Sequence, residues 1–149
     1  MKTKLTELLN IKYPILQGAM AWVSESNLAA AVSNAGGAGI IASGGREISW
    51  IKEQIDSARS LTHKPFGVNV VLQDNNIDER IDLICSEKVP FVTLGAGNPV
   101  PYIEKLKSAG VKVIPVVPNT KLAKRVEDNG ADALIIEGME AGGHIGKLT

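Results

Sequence analysis

Cysteine is almost missing from this chain: Cys85 stands alone among 149 residues. A single thiol excludes an internal disulfide framework and a cysteine-rich metal site. Aromatic residues are scarce as well, at 4%, which argues against a surface that stacks nucleobases. An excess of charge is missing too, because sixteen basic residues balance sixteen acidic ones. Without a net field, neither nucleic acid nor an anionic membrane surface is an expected partner. No apolar run approaches the ~20 residues of a membrane span. Residues 1–10 carry charge without the apolar centre of a signal peptide. A reduced cytoplasm is therefore the expected location.

What is present describes a globular chain with a core. Hydrophobic residues reach 44% and charged ones 21%, an ordinary balance for a domain of this size. Short apolar runs, near-continuous rather than alternating, predict buried strands at 14–17, 38–42, 66–71, 91–94, 111–116 and 133–137. Between them apolar residues recur at helical spacing. The expected buried faces are Leu28, Ala31, Val32 and Ala35; then Ile48, Ile51, Ile55 and Ala58; then Ile77, Ile81 and Ile84. Ile103 with Leu106, and Leu122 with Val126, mark two more. Gly36, Gly110 and Gly130 fall where helices should end in a left-handed residue, and Ser26 and Thr120 are the expected N-caps.

The predicted strand starts are separated by 24, 28, 25, 20 and 22 residues, a β–α repeat with a parallel sheet. An open doubly wound sheet and an eight-fold barrel both fit such a repeat. Small or amide residues close every predicted strand at its carboxyl end: Gln17-Gly18-Ala19-Met20, Ser43-Gly44-Gly45, Asn69 with Gln73, and Gly95-Ala96-Gly97-Asn98. Such a shared, mostly uncharged floor favours the (β/α)8 barrel, whose functional groups gather there. A whole barrel needs ~250 residues. The expectation is thus one domain over 1–149, the first part of a barrel with about six βα units present.

Four motifs carry candidate chemistry. Gln17-Gly18-Ala19-Met20 reads either as a tight turn or as a wall for a planar heterocycle. Ala35-Gly36-Gly37-Ala38-Gly39 precedes a strand, so it suits a helix end and close packing better than a dinucleotide loop. Asn69 is a polar residue in an apolar strand, and its amide must find partners in the backbone or in a ligand ring. Glu140-Ala141-Gly142-Gly143-His144-Ile145-Gly146 follows the last apolar run. Its glycines let backbone approach a flat ligand, and His144 is poised to move a proton near neutral pH. Glu137 ends the last strand and is a candidate cofactor contact. No metal-ligand spacing joins His144, His63 and Cys85, so no metal is expected.

These motifs, with Tyr13-Pro14-Ile15-Leu16 ahead of Gln17 and Phe66-Gly67-Val68 ahead of Asn69, resemble one family along the whole chain. It is the FMN-dependent TIM-barrel family of flavin-type (type II) enoyl-acyl carrier protein reductases and nitronate monooxygenases. Thr93-Leu94-Gly95-Ala96-Gly97-Asn98-Pro99 and Val113-Ile114-Pro115-Val116-Val117-Pro118 look more like the reductase branch. The resemblance implies reduction of the trans-2 double bond of an enoyl-thioester, on acyl carrier protein or coenzyme A, by NADH or NADPH through FMN. It implies that His144 assists protonation at the α-carbon or steadies an enolate-like oxygen. Gln17, Gly18, Ala19, Met20, Asn69 and Glu137 would lie near the flavin, with Gly142 and Gly143 close to its ring. A full-length homodimer is also expected.

Ala19 departs from the pattern, since many relatives carry glycine there. The glycine-rich loops that would hold the flavin phosphate, and a helical substrate lid, belong to the later part of the barrel. The alternatives are a nitronate monooxygenase, with the same histidine beside the same flavin, and a catalytically inert barrel fragment or ligand-binding scaffold.

Overall fold

The computed structural model describes residues 2–143. Its elements alternate: α1 (Lys4–Leu9), α2 (Ser26–Ala35), β1 (Gly39–Ala42), α3 (Ile48–Leu61), β2 (Phe66–Val71), α4 (Ile77–Ser86), β3 (Phe91–Gly95), α5 (Val100–Ser108), β4 (Lys112–Val117), α6 (Thr120–Asp128) and β5 (Ile135–Ile136). The five strands lie in chain order in one sheet, and every pairing is parallel. Consecutive parallel neighbours, each reached through a helix, form a partial TIM barrel, as the spacing predicts.

The sheet has two faces, and the apolar residues divide between them. Ile41, Val68, Val70, Val92, Leu94 and Val113 pack outward against Ile51, Ile55, Ile81, Ile84, Ile103 and Leu106 of the helices. Ile40, Phe91 and Ile114 form the inner layer with Leu9, and Leu5, Leu8, Leu16, Ala133 and Ile135 border it. Helix α1, which the sequence pattern leaves unassigned, therefore closes the inner layer. Thr3 and Thr6 start it with a reciprocal capping box, which satisfies N–H groups that a six-residue helix would otherwise leave open.

Several expectations shift. The strand predicted at 14–17 survives only as one parallel bridge, Leu16 to Ala38, and that at 133–137 contracts to Ile135–Ile136. Both lie at the sheet's edges, where the ladder has a partner on one side only. The N-caps fall one residue earlier than expected, at Glu25 and Asn119. Asn119 accepts from the Leu122 N–H at 2.8 Å. Ser26 instead donates its N–H to Gln54 Oε1 and accepts from the Ser57 hydroxyl.

The first helical face is also displaced. Helix α2 buries Ala29, Ala30 and Ser33, while Ala31 and Ala35 are exposed. The reason is close approach. A Cβ on Gly39 would come well within 3.0 Å of the Ala29 carbonyl oxygen, so only small residues fit where α2 crosses β1. Gly36, Gly110 and Gly130 do take left-handed φ values of 101°, 81° and 86°.

Asp132 secures the start of the last strand pair. Its carboxylate accepts from the Val113 N–H at 2.9 Å and from Lys107 Nζ at 3.0 Å, with Lys112 Nζ at 3.6 Å. Burial pushes this carboxyl up, but the Val113 N–H and the two lysines outweigh it and hold it below the usual carboxylate range. A depressed carboxyl gives stability that is complete above its unfolded value and lost as pH falls through the folded one. Acid titration of stability should therefore steepen below about pH 3.9. Asp132→Asn should flatten that limb when urea midpoints are compared between pH 2 and 5; an unchanged limb would remove Asp132 from this role.

Candidate functional site

The carboxyl ends of the strands converge on one rim. Alternation along the strands sets which residues face inward. In register, Ala42, Asn69, Thr93 and Ile114 form one inward row, and Val71 lies beside Gly95 one level higher. Asn69 Nδ2 donates to Thr93 Oγ1 at 2.9 Å and more distantly to the Thr93 carbonyl at 3.4 Å. Its Oδ1 accepts no bond among the described residues. One half of the amide is thus held by the barrel wall, and the other accepts nothing from it. Its own carbonyl is taken up by the N–H and hydroxyl of Ser43.

The Gln17 amide, by contrast, is committed to the scaffold. Its Nε2 donates to Ser24 Oγ at 2.8 Å and to the Gly18 carbonyl, and its Oε1 accepts from the Ile40 N–H at 3.1 Å. Both donors are used. Gln17 acts as a latch that fastens the loop beyond it to β1. Ser24, 1% exposed, is the other half of that latch, because its hydroxyl also accepts from the Met20 N–H at 2.9 Å. The N–H groups of Gly18 and Ala19, between them, meet no acceptor among the described residues, and a Cβ on Gly18 would touch nothing within 4 Å.

Two loops of the rim are tied together from beneath by Arg80, which is 6% exposed. Its guanidinium donates to the carbonyls of Ser43 and Arg46, each at 2.6 Å, and weakly to that of Asn75 at 3.4 Å. Asp74 lies 3.7 Å away and also accepts from the Gly45 N–H at 3.0 Å. Arg46 in turn stacks between Trp22 and Trp50, 4.0 and 4.2 Å from the ring centres, a cation–π arrangement. Trp22 holds a left-handed φ of 65°.

Of the other candidates, Met20 is exposed in the latched loop and Glu137 is half-buried, its N–H donating to the Val117 carbonyl at 3.1 Å. Gly142 and Gly143 are exposed beyond β5, Gly143 at a left-handed φ of 74°. His144 lies outside the described residues. Among the described residues no cluster could hold a metal ion, and no helix is long and apolar enough to cross a membrane. Ser24, Thr93 and Arg80 are the residues that sequence reasoning missed. Thr93 and Arg80 leave a signal: a polar residue in an apolar strand, and a cation beside the 77, 81, 84 face of α4.

A parallel βα sheet with small residues, a half-free inward amide and unpaired loop N–H groups at its carboxyl rim defines a partial barrel whose rim carries hydrogen-bonding groups of both kinds. The chain belongs to the nitronate monooxygenase family, whose model matches residues 2–80 and 72–149. That family, which is FMN-dependent, includes flavin-type enoyl-acyl carrier protein reductases beside the monooxygenases. The chain is 52% identical to FabK from Thermotoga maritima, with a TM-score of 0.98 over all of this chain and 48% of that one. Against the nitroalkane oxidase of Streptomyces ansochromogenes the values are 31% and 0.87, over 97% and 51%. Among curated relatives, (3aS,4S,5R,7aS)-5-hydroxy-7a-methyl-1-oxo-octahydro-1H-indene-4-carboxyl-CoA dehydrogenase of Rhodococcus jostii is 41% identical over all of this chain and 42% of its own length. A probable nitronate monooxygenase of Staphylococcus aureus is 32% identical over 99% of this chain and 52% of its own. The chain thus spans about half the length of these relatives or less.

Proposed function

We propose that residues 1–149 are the N-terminal portion of a flavin-binding barrel that reduces enoyl-thioesters with NADH or NADPH. The observation that carries this reading is the 52% identity to FabK, against 31% to the nitroalkane oxidase. The coenzyme A thioester in the name of the Rhodococcus relative supports the substrate class. The family model and the staphylococcal relatives favour the second reading, a nitronate monooxygenase.

The residues present suit the ring portion of FMN. Asn69 Oδ1 offers an acceptor on the inner face, and the N–H groups of Gly18 and Ala19 offer donors. Gly95 and Ala42 keep the wall beside Asn69 low. Met20, Glu137, Gly142 and Gly143 would border the same ligand. Bound there, FMN supplies hydride transfer. The protein holds and shields the reacting groups: Gln17 and Ser24 fix the loop carrying Gly18 to Met20, and Thr93 fixes the Asn69 amide. His144 protonates the α-carbon or steadies the developing enolate oxygen. The acyl chain is carried on acyl carrier protein or coenzyme A, and the full-length protein is a homodimer in the cytoplasm.

The test is oxidation of NADH and NADPH by the intact protein, with and without crotonyl-coenzyme A. Thioester-dependent oxidation is the expected result. His144→Ala should lower it by about 10²–10⁴-fold while leaving the yellow flavin spectrum in place. Oxygen uptake with an alkyl nitronate, and no response to the thioester, would instead establish the monooxygenase. Neither activity, with no effect of His144→Ala, would leave a ligand-binding scaffold.

A further inference from the structure

At the end of the sheet opposite the rim, the turns leading into β2, β3 and β4 surround a cleft of about 560 Å³ that the C-terminal end of α1 closes on one side. The size is that of a small-molecule site. Leu8, Pro65 and Pro90 give it accessible apolar surface, while Arg59, Lys64, Lys88 and Lys112 line it and no carboxylate does. Two of these cations are already paired. Glu87 takes Arg59 at 2.5 Å, and Asp132 shares Lys112 at 3.6 Å. Lys64 and Lys88 have no ion-pair partner among the described residues. In a chain with no net charge, this is a local concentration of cations.

Lys88 adds an independent sign. Helices α2, α5 and α6 are each followed by a left-handed glycine, Gly36, Gly110 and Gly130, but α4 is followed by Lys88 at φ 47°. A side chain is disfavoured in that conformation. The repeat has a cheaper solution three times over and departs from it where the side chain lines the cleft. A residue kept against local preference points to a role for its side chain.

We propose that this cleft binds a small amphiphilic anion. Its phosphate or carboxylate head is held by Lys64 and Lys88 with Lys112, and its apolar part lies on Leu8, Pro65 and Pro90. The site is separate from the flavin rim and does not depend on which reaction occurs there.

Calorimetric titration of the intact protein at low salt, with octyl phosphate, octanoate and inorganic pyrophosphate as probes, tests this. One saturable site per chain is expected for an octyl probe, and the tighter of the two identifies the head group. Lys88→Gly should weaken that binding about tenfold, the loss of one charge-assisted hydrogen bond, without lowering Tm, because the left-handed turn then suits its residue. A lowered Tm, no saturable binding, or binding unchanged in Lys88→Gly and in Lys64→Ala would overturn the proposal. Pyrophosphate binding as tightly as the octyl compounds would overturn the apolar half of it.

Discussion

Arg80→Met should destabilise the fold by about 3 kcal/mol, although every partner its guanidinium holds lies in a loop. The side chain is nearly the same length and would fill most of the same space. What it cannot do is donate. The carbonyls of Ser43 and Arg46, both bound at 2.6 Å by the guanidinium, would lose a cationic partner, and the Asp74 carboxylate would lose its neighbour. Arg80→Lys should recover only part of the loss, because one ammonium cannot reach three carbonyls in a planar fork. Urea unfolding at constant m reads the stability. Limited proteolysis should show new cleavage between residues 43 and 46 or 72 and 75. A methionine variant within 0.5 kcal/mol of the parent, the ordinary surface range, would mean that water replaces the guanidinium without cost.

Gly39→Ala should be at least as damaging, on the order of 3 kcal/mol or more. The added methyl group points at the Ala29 carbonyl oxygen and carbon, which belong to a hydrogen-bonded helix and cannot rotate aside as a side chain would. Either α2 moves off the sheet or β1 does. Both motions open the layer around Ile41 and Ala29. Gly18→Ala is the matched control for stability, since its new Cβ meets nothing within 4 Å; thermal unfolding of the pair separates a steric clash from a general effect of adding a side chain. Equal Tm values for the two would show that the α2–β1 contact is softer than its geometry indicates.

The sequence pattern made the central strands and the outward faces of most helices legible, because β2, β3 and β4 are mostly apolar and Ile51, Ile55, Ile81 and Ile84 repeat at helical intervals. It failed at the edges, where Leu16 and Ile135–Ile136 have fewer ladder partners to extend them. It also failed on α2. There the apolar residues Leu28, Val32 and Ala35 suggested one face, whereas Gly39 selected the face with the smallest side chains. At the rim, Asn69 stood out because an amide in an apolar strand needs partners. Gln17 stood out too, but periodicity could not show that its amide is consumed by Ser24 and Ile40. Arg80 was hidden by its neighbours, since Asp78 and Glu79 made it look like one more exposed charge on a helix.

The inner layer has a consequence for how the chain assembles. Outward contacts join each strand to helices adjacent in sequence, so that layer can grow unit by unit with short loops to close. The inner cluster instead gathers Leu9 with Ile114 and Ile135, across more than a hundred residues. Closing a loop of that length carries an entropy cost that local contacts do not meet, and such contacts slow folding. During synthesis, the inner layer around α1 is therefore complete only once β4 and β5 have emerged. Of the described elements, the first in the chain belongs to a layer that is among the last to close.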